Sequence, residues 1–206
     1  MKKITRLVAV PLVTVLALGF VGCSGDQSKV NGSTTGQNPS ATSEATDPKV
    51  SKFLEDHGFD GMPVAYIIDK LEKDNTGDRE NGPEGIVESG YLKLSYGEDG
   101  VSVPITDGYY LAIAPYTDNP FECTTHNLAT DQGELANREM HFTLTDDGGQ
   151  TLVDESLTTY DNGFIGLWLP KDKTGKITVT SEGKTGSADF STTKDSPTCI
   201  GNLQLS

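Results

Sequence analysis

Met140-His141-Phe142-Thr143-Leu144-Thr145, running into Asp146-Asp147-Gly148-Gly149, decides the fold class. Apolar Met140, Phe142 and Leu144 alternate with His141, Thr143 and Thr145, and in an extended chain successive side chains point to opposite faces. The Asp/Gly run behind them reads as a hairpin turn. Working outward, the strand pattern recurs. On the C-terminal side it returns in Thr151-Leu152-Val153, in Leu157 to Tyr160, and, after the turn signal Asp161-Asn162-Gly163, in the apolar run Phe164 to Leu169. Lys176 to Thr180, Ser187 to Thr192 and Leu203 to Leu205 complete that side, and Tyr91 to Tyr96, Val101 to Ile105 and Tyr109 to Ala114 lie before it. Short strands separated by Gly and Asp turns predict an antiparallel β-sandwich or open barrel. Trp168, the single tryptophan, is expected in its core with Phe142, Leu144, Ile165 and Val179.

The period is different before Ile86. Asp47-Pro48 is an N-cap carboxylate followed by proline at the first helical position, and Val50, Phe53 and Leu54 follow at helical spacing. His57-Gly58 closes that helix. Met62-Pro63 opens a second one, with Val64, Ile67, Ile68 and Leu71 on the apolar face and Lys70, Glu72 and Lys73 assigned to the polar face. Asp74 to Gly85 reads as a polar loop. The fold class is therefore mainly β with a short N-terminal helical hairpin (α+β), with helices over about 48–74 and the β-rich part over about 86–206.

The chain starts with a cationic Met1-Lys2-Lys3-Ile4-Thr5-Arg6 and an apolar run from Leu7 to Val21 that Pro11, Thr14 and Gly19 interrupt. That run is too short and broken for a membrane span and fits a signal peptide over residues 1–22. Gly22-Cys23 resembles a bacterial lipobox, with Phe20 where leucine is usual, which predicts lipid attachment at Cys23. Residues 23–47, rich in Ser, Thr, Gly, Asn and Gln, predict a flexible tether. Residues 48–206 have the length of one domain. The net charge is −14, with 30 acidic against 16 basic residues. Losing the leader makes it more negative, since Lys2, Lys3 and Arg6 go with it and no acid does. Nucleic-acid partners are excluded on this charge, and membrane contact is expected only through the lipid.

Two cysteines remain, Cys123 and Cys199, and His126 stands three residues after the first. Cys123 and His126 lie in a long stretch without strand character, Tyr116 to Arg138, of the kind that often carries function. In an exported chain an even pair predicts a disulfide, which would stabilise the fold by about 4 kcal/mol for a loop of this size. The same residues also suit copper, because thiolates favour Cu(I) and imidazole is a frequent third ligand. Zinc fits less well, since structural zinc usually takes four ligands from close-spaced pairs. The two readings are compatible: a dithiol that reduces Cu(II) ends as a disulfide. His141 is a strand residue and His57 a helix-end residue. The chain holds no G-x-S-x-G, no H-E-x-x-H and no phosphate-loop or dinucleotide fingerprint, and the turn at Asp146 lacks the ligand spacing of a calcium loop.

Several blocks resemble the CueP family of envelope copper-binding proteins. They are Leu111-Ala112-Ile113-Ala114-Pro115-Tyr116, Glu122-Cys123-Thr124-Thr125-His126-Asn127-Leu128-Ala129-Thr130, Gly133-Glu134-Leu135-Ala136-Asn137, Asn162 to Pro170, Pro197-Thr198-Cys199 and Phe53 to Gly58. The resemblance implies a copper-handling protein that binds copper through cysteines, reduces Cu(II) to Cu(I), and holds it or passes it to a partner such as an exported superoxide dismutase. Enzymatic activity would be limited to cupric reduction by Cys123 and Cys199, resupplied by a thiol reductant. Carried over, the metal ligands are Cys123, His126 and Cys199. The better-known family members carry a further cysteine where this chain has Asp131, a hard ligand that serves Cu(I) poorly. The expected product is an extracytoplasmic, lipid-anchored copper protein, monomeric or homodimeric. The alternative is a disulfide-stapled surface lipoprotein that acts as a binding or adhesion module without metal.

Overall fold

The computed structural model describes residues 47–75 and 82–206. The leader, Cys23 and nearly all of the tether lie outside them. The chain opens with helices α1 (Pro48–Asp56) and α2 (Val64–Lys73). The Asp47 side chain accepts from Lys49 N at 2.8 Å, the expected cap, and His57 ends α1. Eleven strands follow among the described residues: β1 (Glu84–Glu88), β2 (Tyr91–Tyr96), β3 (Asp99–Pro104), β4 (Tyr109–Tyr116), β5 (His126–Asn127), β6 (Glu139–Asp146), β7 (Thr151–Thr158), β8 (Ile165–Leu169), β9 (Thr174–Ser181), β10 (Lys184–Ser191) and β11 (Cys199–Gln204).

These strands form three sheets, in the orders β3-β2-β1-β5, β10-β9-β6-β7 and β11-β4-β8. No sheet closes into a barrel among the described residues, so the sandwich is the form adopted. The sheet β11-β4-β8 lies between two cores. Tyr109, Leu111 and Ile113 of β4 join Phe142, Leu144, Ile177 and Val179 on one side. Tyr110, Ala112 and Ala114 join the helices and the β1–β2–β3 side on the other. Every β4 residue from Tyr109 to Pro115 is accordingly buried, the pattern of a strand covered on both faces.

Three expectations are corrected. Trp168 does not join Phe142, Leu144, Ile165 and Val179. It projects from the other face of β8, edge-on to Tyr110 at 5.2 Å, with its indole N–H 3.4 Å from Asp69 Oδ1. The period-two rule explains this, because Leu167 and Leu169 take the core face and Trp168 must take the opposite one. The sandwich is not purely antiparallel, since β11 pairs with β4 in parallel, Cys199 opposite Ala112. The stretch 116–138 does contain a strand, the two-residue β5, which pairs with β1 at Val87 opposite His126. No helix among the described residues is long and apolar enough to cross a membrane.

Candidate metal centre

Thr198 places the two cysteines. Its N–H donates to Thr124 O at 2.9 Å, its carbonyl accepts from Ala112 N at 2.9 Å, and its hydroxyl donates to Val87 O at 2.6 Å while accepting from His126 N at 3.3 Å. One buried threonine thus ties β1, β4 and the Cys123–His126 segment to the start of β11. Beyond the cysteine, Phe121 N donates to Gly201 O at 3.2 Å. A Cβ on Gly201 would collide with the Phe121 carbonyl, so only glycine allows this approach. Between these two attachments Cys123 and Cys199 are joined in a disulfide, with Cα atoms 5.6 Å apart. Cys199 is 2% exposed, whereas Cys123 is half-buried. A surface groove of about 700 Å³ opens on the bridge, with Phe121, Glu122, Cys123, Pro197 and Cys199 in its lining.

The loop that carries Cys123 is held at its ends. The Glu134 carboxylate accepts from the backbone N–H groups of Thr117, Asp118 and Asn119 at 2.9 to 3.0 Å. The N–H of Asn119 and its neighbours stabilises the ionised form and lowers its pKa to about 2. Further along, Asp131 folds back on the strand it follows: its carboxylate accepts from Asn127 N at 2.8 Å, and its own N–H donates to Asn127 O at 3.2 Å. That turn presents Asp131 Oδ2 to His126 Nδ1 at 3.1 Å.

His126 is fully buried, and both its ring nitrogens are engaged. Nε2 lies 2.6 Å from Oε2 of Glu72, which is itself 1% exposed. Glu72 also accepts from Tyr110 Oη at 3.1 Å and Asn162 Nδ2 at 2.6 Å. Burial lowers the imidazole pKa, but the hydrogen bonds and charges of Asp131 and Glu72 outweigh it and raise the value to about 9. At neutral pH the ring is therefore an imidazolium clamped by two carboxylates. Tyr110 is pushed well up by its burial and then by Glu72, so the phenol stays a donor. Glu72 sits in the last turn of α2, at the negative end of the helix dipole, and its three donors offset that position.

The donor atoms of His126, Asp131 and Cys199 lie within 4.8 Å of one another. All three sequence-selected site residues are thus brought together: the cysteines as a bridge, and His126 beside it with its nitrogens taken by acids. Asp131 stands with them. His141 is remote in role, 2.8 Å from Asp154 across the β6–β7 pair. His57 packs between Phe53 and Tyr96 at the end of α1. Glu72, expected on the polar face of its helix, is instead buried, and Tyr110 and Asn162, which no sequence motif marks as site residues, complete its surroundings. The available signal was spacing, because Val64, Ile68 and Glu72 lie four apart on one helical stripe.

Residues 66–204 match the family model of CueP, described as a periplasmic copper-binding protein. A crystal structure described as that of S.CueP is 36% identical, with a TM-score of 0.72, and the match covers 79% of this chain and 100% of that one. No curated protein matches the chain by sequence.

Proposed function

The chain belongs to the CueP family of periplasmic copper-binding proteins, and on that premise we propose that it is an extracytoplasmic copper handler working through Cys123 and Cys199. In the reduced state the two thiolates, with His126 and Asp131 beside them, hold Cu(I). Facing Cu(II), the dithiol gives up two electrons, so two Cu(II) become two Cu(I) as the Cys123–Cys199 bond forms and two thiol protons leave. The observation that carries this reading is the convergence of the His126, Asp131 and Cys199 donor atoms next to a bridge that opens on a groove. To serve as a ligand, His126 must release one carboxylate and lose the proton on that nitrogen. An external thiol renews the dithiol, and an exported copper enzyme receives the metal. Cys23 anchors the protein by lipid; labelling with palmitate that persists in Cys23→Ala would refute the anchor.

The test of reduction is to mix thiol-reduced protein anaerobically with Cu(II) and a chromophoric Cu(I) chelator. About two Cu(I) per dithiol are expected, and none above background from the Cys123→Ser/Cys199→Ser variant. Equal yields from both proteins would remove the reductase activity. The second reading, a structural staple in a binding module, is favoured by the bridge itself and by the engagement of both His126 nitrogens. A bridge that stays closed to reductant until the protein unfolds would select it.

A further inference from the structure

The two sulfurs of the bridge have unlike surroundings. Cys199 opens β11, is 2% exposed, and has donor atoms of His126 and Asp131 within 4.8 Å of its sulfur. Cys123 is half-buried on a loop; both cysteines line the groove beside Phe121, Glu122 and Thr124, but Cys123 is the more exposed of the two. A thiolate opens a disulfide at whichever sulfur it can reach, and the other sulfur leaves. Resting on the reading of this pair as a working dithiol, we propose that reductant enters by this groove, attacks Cys123 alone, and expels Cys199 as the thiolate. Cys123 is then the exchange cysteine and Cys199 the buried leaving group.

The step balances. The incoming thiolate forms a new S–S bond to Cys123 Sγ, the Cys123–Cys199 bond breaks, and its electron pair leaves on Cys199 Sγ. A second thiol from the reductant, which is a dithiol or two monothiols, then attacks the reductant's own sulfur in the mixed disulfide. Oxidised reductant departs, and Cys123 is left as a thiolate that takes up a proton. Direct attack on Cys199 is disfavoured by its 2% exposure.

Glu122 supplies an independent handle, since it lines the groove, is exposed, and repels an anionic thiol. The test uses oxidised, folded protein in copper-free buffer with excess glutathione, acid-quenched early and mapped by mass spectrometry. Glutathione is expected on Cys123 over Cys199 by about tenfold or more, with Cys199 as the free thiol. Glu122→Lys should speed the reaction with glutathione, whose attacking form carries the larger negative charge, roughly threefold at low salt, and that with β-mercaptoethanol, whose thiolate carries a single charge, by clearly less. Adducts on Cys199, or shared evenly, would overturn the assignment, as would a Glu122→Lys effect that is the same for both thiols. Those results leave the copper reading standing. Conversely, chemically reduced protein that binds no Cu(I) would end the copper reading without touching the order of attack.

Discussion

At the residue scale the determining group is Glu72. A carboxylate removed from water is tolerable only when its acceptor sites are filled and its charge is met, and Tyr110, Asn162 and His126 together do both. Removing it should leave a buried imidazolium with only Asp131 to face. Glu72→Ala is therefore expected to cost about 3–5 kcal/mol in urea denaturation, and Glu72→Gln less, since the amide keeps the contacts in shape. A loss under about 1 kcal/mol for Glu72→Ala would contradict the network. The charge state has its own sign. The folded pKa of His126, about 9, exceeds the 6.5 of the free group. Its contribution is thus complete below pH 6.5 and is lost as pH rises through about 9. NMR of the ring should show the imidazolium at neutral pH, titrating near 9; a neutral ring at pH 7 would refute the double clamp. Sequence exposed only half of this. Val64, Ile68 and Glu72 at spacings of four place Glu72 on the buried stripe, but a charged residue there was assigned to solvent because nothing local reveals partners 38 to 90 residues away.

At the scale of elements, the loop before β5 is placed by backbone contacts. Phe121 rests on Gly201, Thr124 on Thr198, and the three N–H groups of residues 117–119 on Glu134. Gly201→Ala puts a methyl group against the Phe121 carbonyl, which must back away from β11. The expected results are a lower melting temperature and faster reduction of the bridge by dithiothreitol. Unchanged reduction kinetics would mean that the Phe121–Gly201 contact does not hold the cysteine loop. The strands were legible where one face is apolar and the other polar, as in Met140 to Thr145. They were not legible in β1, whose first residues look like loop, or in β5, too short to show a period. The parallel pairing of β11 with β4 was also invisible, because alternation says which face a side chain takes and nothing about strand direction.

At the scale of the whole molecule, β4 and its sheet separate two apolar cores, and the candidate centre sits in the core that contains the helical hairpin. Glu72 from α2, Tyr110 from β4, His126 from β5 and Cys199 from β11 meet there, so the site forms only when the N-terminal helices are docked on the sheets. This arrangement explains why a sequence reading could assemble the Cys123, Cys199 and His126 set but not the acids around it: the set was carried by motif blocks, the acids by tertiary packing. Opening the bridge removes a constraint worth up to about 4 kcal/mol, and a bound Cu(I) that joins the same two sulfurs should restore part of it. The most direct measurement is an anaerobic Cu(I) competition titration of the protein with its Cys123 and Cys199 thiols reduced and counted. About one Cu(I) per chain is expected, lost on Cys123→Ser or Cys199→Ser and weakened on His126→Ala. Two counted thiols with no Cu(I) bound would contradict the copper assignment and leave the pair a structural staple.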